Sequence, residues 1–173
     1  MNPYETPQYE AIKEFWMEPD YFQDTMNGFK IMARRNWSKA WCGYAGVSEI
    51  HPLFGKGYDE RIPVPDRGAV TIDKVSLLTT VCEALHEDDG QVSLAALINV
   101  HGGITYAGDK WPADDGLWYF GFDCSHYNDL TPRNVFDSFS DGIWRFDTEA
   151  KYRTLDFVKA ELETLTKVLE NFA

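Results

Sequence analysis

Leu117-Trp118-Tyr119-Phe120-Gly121-Phe122-Asp123-Cys124-Ser125-His126 is the stretch from which the fold is read. Apart from Gly121, apolar and aromatic residues fill the run up to Phe122, and then the chain turns polar. Such a run, preceded by Gly116 and ended by a polar cluster, predicts a β-strand over 117–124. Upstream, Leu97-Ile98-Asn99-Val100-His101-Gly102-Gly103-Ile104-Thr105-Tyr106 predicts a second strand. The segment between them, Ala107 to Gly116, carries the Gly, Asp and Pro of a long hairpin loop. An antiparallel pair of this kind brings the polar ends of both strands to one edge. His101 then stands opposite Phe122 or Cys124, or beside Asp123, because a one-residue slip flips every side chain to the other face.

Working outward, Phe29 to Arg35 reads as a strand, Asn36 to Lys39 as a turn and Ala40 to Val47 as the returning strand. Gly43 and Gly46 inside the latter point to a bulge or a close backbone approach. Residues 1–27 read as a mixed arm, with a short helix from Gln8 to Trp16 that Pro19 ends. Residues 48–72 hold six Gly and Pro among apolar residues and predict an ordered loop over the core. Ile72 to Leu85 is ambiguous between helix and a strand–helix mixture. Residues 127–150 read as irregular, with a helical turn near Val135. At the C-terminus Leu155, Val158, Leu162, Leu165, Leu169 and Phe172 repeat at helical steps, with Thr154 or Asp156 as the cap. The expected fold is α+β: an antiparallel or mixed sheet of at least four strands, the C-terminal helix packed on one face, and long ordered loops. Residues 1–173 form one domain, with 1–27 as the arm and 28–173 as the core.

The balance of 16 Lys and Arg against 28 Asp and Glu gives a formal net charge of −12. Most of such a surface repels a phosphate backbone, which argues against a nucleic-acid polymer as partner. No run of 18 apolar residues offers a membrane span. Met1 to Glu5 has neither basic charge nor an apolar stretch, so no signal peptide is expected and a cytoplasmic location is. Cys42, Cys82 and Cys124 are odd in number and form no Cys-x-x-Cys pair, which argues against a disulfide framework.

Two segments hold most of the candidate chemistry. Two adjacent glycines in an apolar strand cost backbone entropy, so something must require the missing side chains at Gly102 and Gly103. Asp123, Cys124, Ser125 and His126 end the other strand with four groups able to do acid–base, nucleophilic or ligand work. A nucleophilic Cys124 needs His126 or His101 as its base. A metal can draw on His101, Asp123, Cys124, His126 and Asp129, yet no standard ligand spacing appears and no metal or other cofactor is expected. For binding, Gly102 and Gly103 allow close approach. His101, Asp123 and His126 supply polar recognition, and Trp41, Tyr44 or Trp118 a stacking face. Arg34, Arg35, Lys39, Lys56 and Lys110 are the cations available to a phosphate. His51-Pro52-Leu53-Phe54-Gly55-Lys56 lacks Walker spacing and reads as a rigid shoulder, with His51 in a turn role.

Trp41-Cys42-Gly43-Tyr44, Gly46-Val47, His51 to Lys56, His101 to Tyr106 and Gly121 to His126, taken in order, resemble a family of small proteins encoded by phages and prophages. The resemblance spans residues 30–170 and brings no assigned activity. It implies a phage accessory protein acting in a bacterial host cytoplasm, where such proteins often disarm defence by sequestering or cleaving nucleotide signals. The leading expectation is therefore capture of a small polar ligand, a nucleotide-derived signal among the candidates. Alternatives are a Cys/His-dependent or metal-assisted hydrolase of such a ligand, and a protein-interaction inhibitor of a host factor. A homo-oligomer stays open, as do the ligand and the strand register.

Overall fold

A computed structural model of the chain describes residues 7–63, 91–141 and 149–173. Cys82, the expected element over 72–85 and the end of the long loop fall outside these residues. The core is a five-stranded antiparallel sheet in the order β1-β2-β3-β7-β6. Its strands are β1 (Tyr21–Met26), β2 (Phe29–Arg35), β3 (Trp41–Val47), β6 (Tyr106–Gly108) and β7 (Trp118–Asp123). A small second sheet pairs β4 (Arg61–Pro63) with β5 (Gln91–Ser93). Among the described residues the helices are α1 (Pro7–Glu10), α2 (Leu94–Leu97), α3 (Pro132–Asp141) and α4 (Leu155–Glu170), with a 3-10 turn at Lys13–Trp16.

The β2–β3 hairpin and β7 form where the sequence places them. The Asn36 side-chain oxygen accepts from the backbone N–H of Ser38 and Ala40, which folds the turn, and Lys39 closes it at φ 64°. The ladder runs through Gly43 and Gly46 without a bulge. Close packing is their reason instead. A Cβ on Gly43 would lie 2.6 Å from the Phe122 ring and 3.2 Å from Val158, and one on Gly46 would lie 2.8 Å from the Tyr119 ring. Gly43 therefore lets α4 settle on the middle of the sheet, where it packs chiefly against β3. Thr154 caps α4 by accepting from the Phe157 N–H, and Leu155, Val158, Leu162, Leu165 and Leu169 are buried beneath it. Phe172 packs at the edge of that core.

Two expectations need correction. The arm is more than an arm, because residues 21–26 form β1 on the sheet edge. Asn27 and Gly28, both at positive φ, make the two-residue turn into β2. The stretch 97–106 is not a strand. Ser93 caps the short α2, the chain turns at His101-Gly102, and ladder pairing begins only at Tyr106. Leu97, Ile98, Val100 and Ile104 are nevertheless buried. Their apolar run reports depth in the core, and depth alone does not distinguish a strand from an irregular buried segment.

The flanking pieces are tied by specific contacts. The Glu18 carboxylate accepts from Trp41 Nε1 (2.9 Å), Tyr152 Oη (2.6 Å), Arg35 Nη2 (3.1 Å) and the backbone N–H of Leu155 (2.6 Å). The arm is thereby fixed to the sheet and to the start of α4. His51 is buried in the shoulder loop, as its turn role requires. Its Nδ1 accepts from the Leu53 N–H, so Nε2 carries the proton and donates to the Leu169 carbonyl at the end of α4. The region near Val135 extends to the ten-residue helix α3, and Val135 packs with Ile12 and Leu130.

Leu162 is fully buried at the middle of the α4 stripe. Leu162→Ala should cost about 2–5 kcal/mol of stability, through lost transfer energy and the cavity left behind. Urea denaturation measures this directly. A variant that unfolds like wild type yet changes sedimentation would make the stripe an interface rather than core.

Candidate functional site

The polar end of β7 sends its side chains to both faces of the sheet, so the single site expected from sequence divides into two. Asp123 pairs directly with Cys42, and Cys42 packs with Met32, Tyr44 and Tyr119 on the face away from α4. Cys124, one residue on, belongs to the main core under α4. Period-two alternation is enough to separate them.

On the open face lies a cleft of about 310 Å³. Trp37, Tyr44 and Tyr106 give it aromatic walls, and Asn36, Thr105, Asp123 and Ser125 give it polar groups. Tyr44 meets Tyr106 edge to face at 5.8 Å and accepts at its hydroxyl from Trp111 Nε1 (2.9 Å). Its ring lies over Gly121, where a Cβ would come within 2.5 Å of it. Asp123 Oδ1 accepts from the Ser125 N–H (2.9 Å), and Oδ2 accepts from the Thr105 hydroxyl (3.3 Å). Asn36 Nδ2 donates to Ser125 Oγ (2.7 Å). Burial, with Asp123 adding to it, pushes the Cys42 thiol in this cleft up to about 11. It is therefore a neutral wall and not a thiolate.

The second cluster lies beside α4, between the 101–103 turn and the loop after β7. Asp129 is its centre, with a side chain wholly out of solvent. Its Oδ2 faces His101 Nε2 (2.7 Å), His126 Nδ1 (3.2 Å) and the His126 backbone N–H (3.0 Å). Its Oδ1 accepts from Arg153 Nε (2.7 Å). Burial by itself would raise this carboxyl. The hydrogen bonds from His101, Arg153 and the His126 N–H outweigh it and hold the group well below the usual carboxylate range. Glu161 of α4 accepts from the His101 backbone N–H (2.7 Å), and Phe157 packs edge-on against the His101 ring at 5.2 Å.

The glycine pair has its reason here. Gly102 and Gly103 sit at φ 69° and 82°. A Cβ on Gly102 would fall 1.9 Å from His126 Cε1 and 2.1 Å from Nε2. The missing side chain makes room for the imidazole of His126, so close approach is the right principle with an internal occupant. Gly103 has open space and needs only its backbone angle.

Several expected roles change. Trp41 is fully buried, its indole N–H is taken by Glu18 and its ring by the Arg35 guanidinium at 4.0 Å. Trp118 packs on the core and donates to the Lys56 carbonyl. Neither lines the cleft, where the exposed aromatic is Trp37. Cys124 is 2% exposed, and burial followed by the charge of Asp129 drives its thiol upward, opposite to the need of a nucleophile. None of Arg34, Arg35, Lys39, Lys56 and Lys110 lines the cleft. Arg34, for instance, stacks on Trp111 at 4.5 Å and donates to the Pro112 carbonyl. Of the five candidate metal ligands, His101, His126 and Asp129 come together. Arg153 and Glu161 enter the cluster from far along the chain, and nothing in their local sequence marks them. Compared with family models, curated proteins and solved structures, the chain matches none.

The depressed carboxyl of Asp129 makes folding pH-dependent. Its unfolded pKa is about 3.9. Its contribution is fully present above that value and is lost as pH falls through it toward the folded pKa. Urea titrations of wild type and Asp129→Asn should show a stability gap at neutral pH that narrows below about pH 4. A gap that stays constant into acid would refute the ionised, donor-surrounded carboxylate.

Proposed function

We propose that the protein captures a small polar ligand in the cleft between Trp37, Tyr44, Tyr106 and Asp123. The cleft itself carries the reading: in a volume of about 310 Å³, aromatic walls surround a carboxylate, two hydroxyls and an amide. Ligand sites are typically concave and apolar with a few convergent polar groups. Trp37 is 75% exposed, and with the Arg133 guanidinium over its ring at 5.1 Å one face remains to cover a flat ring. Asp123 accepts hydrogen bonds only, so it selects donors such as an exocyclic amine or a ribose diol. No basic residue stands among the lining groups. A nucleotide would therefore be held by base and sugar, with its phosphates turned to solvent. In the phage setting that the motif resemblance implies, such capture withdraws a nucleotide-derived signal from a host defence.

The test is calorimetry with a panel of nucleosides, nucleotides and cyclic nucleotides, followed by mass spectrometry of the ligand released on heating. Capture predicts intact ligand at about one per site. Trp37→Ala should lose about 1–3 kcal/mol of affinity through the missing stacking surface. Asp123→Asn should weaken binding about tenfold or more, because a charged acceptor becomes neutral. Conversion of excess ligand by trace protein would replace capture with hydrolysis. Silence across the panel would remove the nucleotide and favour an inhibitor that engages a host protein.

A further inference from the structure

We infer that His101, His126 and Asp129 form a binding site for one divalent transition-metal ion of the zinc, cobalt and nickel class. The site is separate from the cleft and does not rest on the ligand reading above.

The ligand atoms converge on a point. One ring nitrogen each of His101 and His126 and a carboxylate oxygen of Asp129 all lie within 4.8 Å of one another. The two ring nitrogens stand 2.7 and 3.2 Å from Asp129 Oδ2. In a tetrahedral site with metal–ligand bonds of about 2.0–2.2 Å, neighbouring ligands are about 3.3–3.6 Å apart. Small shifts of the rings thus bring the set to that spacing. Two imidazoles and a carboxylate are a donor set for such metals, and three protein ligands leave a position for water. Side-chain exposures of 19% for His101 and 34% for His126 give the ion a path from solvent.

A second observation points the same way. Asp129 Oδ2 is crowded by donors: two ring nitrogens and the His126 N–H all approach that one oxygen. An oxygen has two lone pairs, so three donors cannot all be well served. A cation between the rings and the oxygen takes the place of the two ring protons, each of which moves to the other nitrogen of a neutral ring or leaves to solvent from an imidazolium. The surroundings also suit a metal. Arg153 Nε holds Oδ1 at 2.7 Å and fixes the carboxylate plane. Glu161 holds the His101 backbone at 2.7 Å. Gly102 leaves space for the His126 ring. Ligands oriented by such outer contacts bind more tightly.

Spacing in the sequence conceals the set, because His126 and Asp129 are three apart in a loop while His101 arrives from another turn. The experiment uses the full chain dialysed against chelator and titrated with Co(II) by visible absorption and with Zn(II) by calorimetry. About one ion per chain is expected, weaker in acid, where protons compete for the ring nitrogens. His101→Ala and His126→Ala should each abolish the signal. Arg153→Gln, which removes the bond to the far carboxylate oxygen and the stacking on Phe157 at 4.8 Å, should lose about 10–100-fold. Glu10→Gln and Asp114→Asn, exposed carboxylates outside the cluster, should bind as wild type. Because Asp129→Asn risks the fold, the histidine variants decide the matter, with circular dichroism showing that they remain folded. No uptake by wild type, or equal uptake by folded His101→Ala and His126→Ala, overturns the site.

Discussion

A carboxylate without solvent must be surrounded by donors, and the placement of α4 depends on two of them. Asp129 has no exposed side-chain surface, and Glu18 has 13%. Between them they hold the run Tyr152-Arg153-Thr154-Leu155. Glu18 takes the Tyr152 hydroxyl and the Leu155 N–H, while Asp129 takes Arg153. The same two groups reach away from the helix, Glu18 to Trp41 and Arg35 and Asp129 to His101 and His126. Removing either would leave several polar groups buried without partners, which costs more than the bonds themselves contribute. The helix brings the apolar area; the carboxylates fix where along the sheet it starts.

What the sequence reveals of this fold is what local pattern can reveal. The stripe on α4, the Asn36 turn and the aromatic run of β7 are each settled by near neighbours, and each forms. The edge strand β1 also had its local mark in Asn27-Gly28, the strongest short hairpin signal, but Tyr21 to Met26 shows polar side chains and little burial. Edge strands are held by one ladder and need no apolar run. The opposite error arose at 97–106, where a buried run without a ladder looks like a strand. Hydrophobicity reports burial first, and only its period reports secondary structure.

The candidate site was legible in its members and not in its grouping. His101, Gly102 and His126 do meet. Asp123 and Cys124 leave the group because one residue step along a strand crosses the sheet. The true anchor, Asp129, lies beyond the strand, and its partner Arg153 is 24 residues further on. Such contacts are set by how loops cross at the sheet edge, and no spacing rule encodes that. Trp41 serves the core for a related reason. An aromatic residue in a strand serves a ligand or the core according to its face, and the face follows from a register that the sequence leaves open.

The alternation that divides the site also gives the strand end its economy of design. In Asp123-Cys124-Ser125-His126, the first and third residues line the cleft, the second seals the core, and the fourth joins Asp129. Both polar assemblies therefore hang from the end of a strand paired on both sides. A rigid support of that kind keeps side chains in place without strain of their own, which is what recognition of a small ligand requires. The net charge of −12 then acts on both. It discourages phosphates at a cleft that already offers a carboxylate, and it draws cations toward a cluster whose acid is ionised. For the two proposed sites, electrostatics thus favours a donor-rich group at the cleft, with any phosphates turned to solvent, and a cation at the cluster.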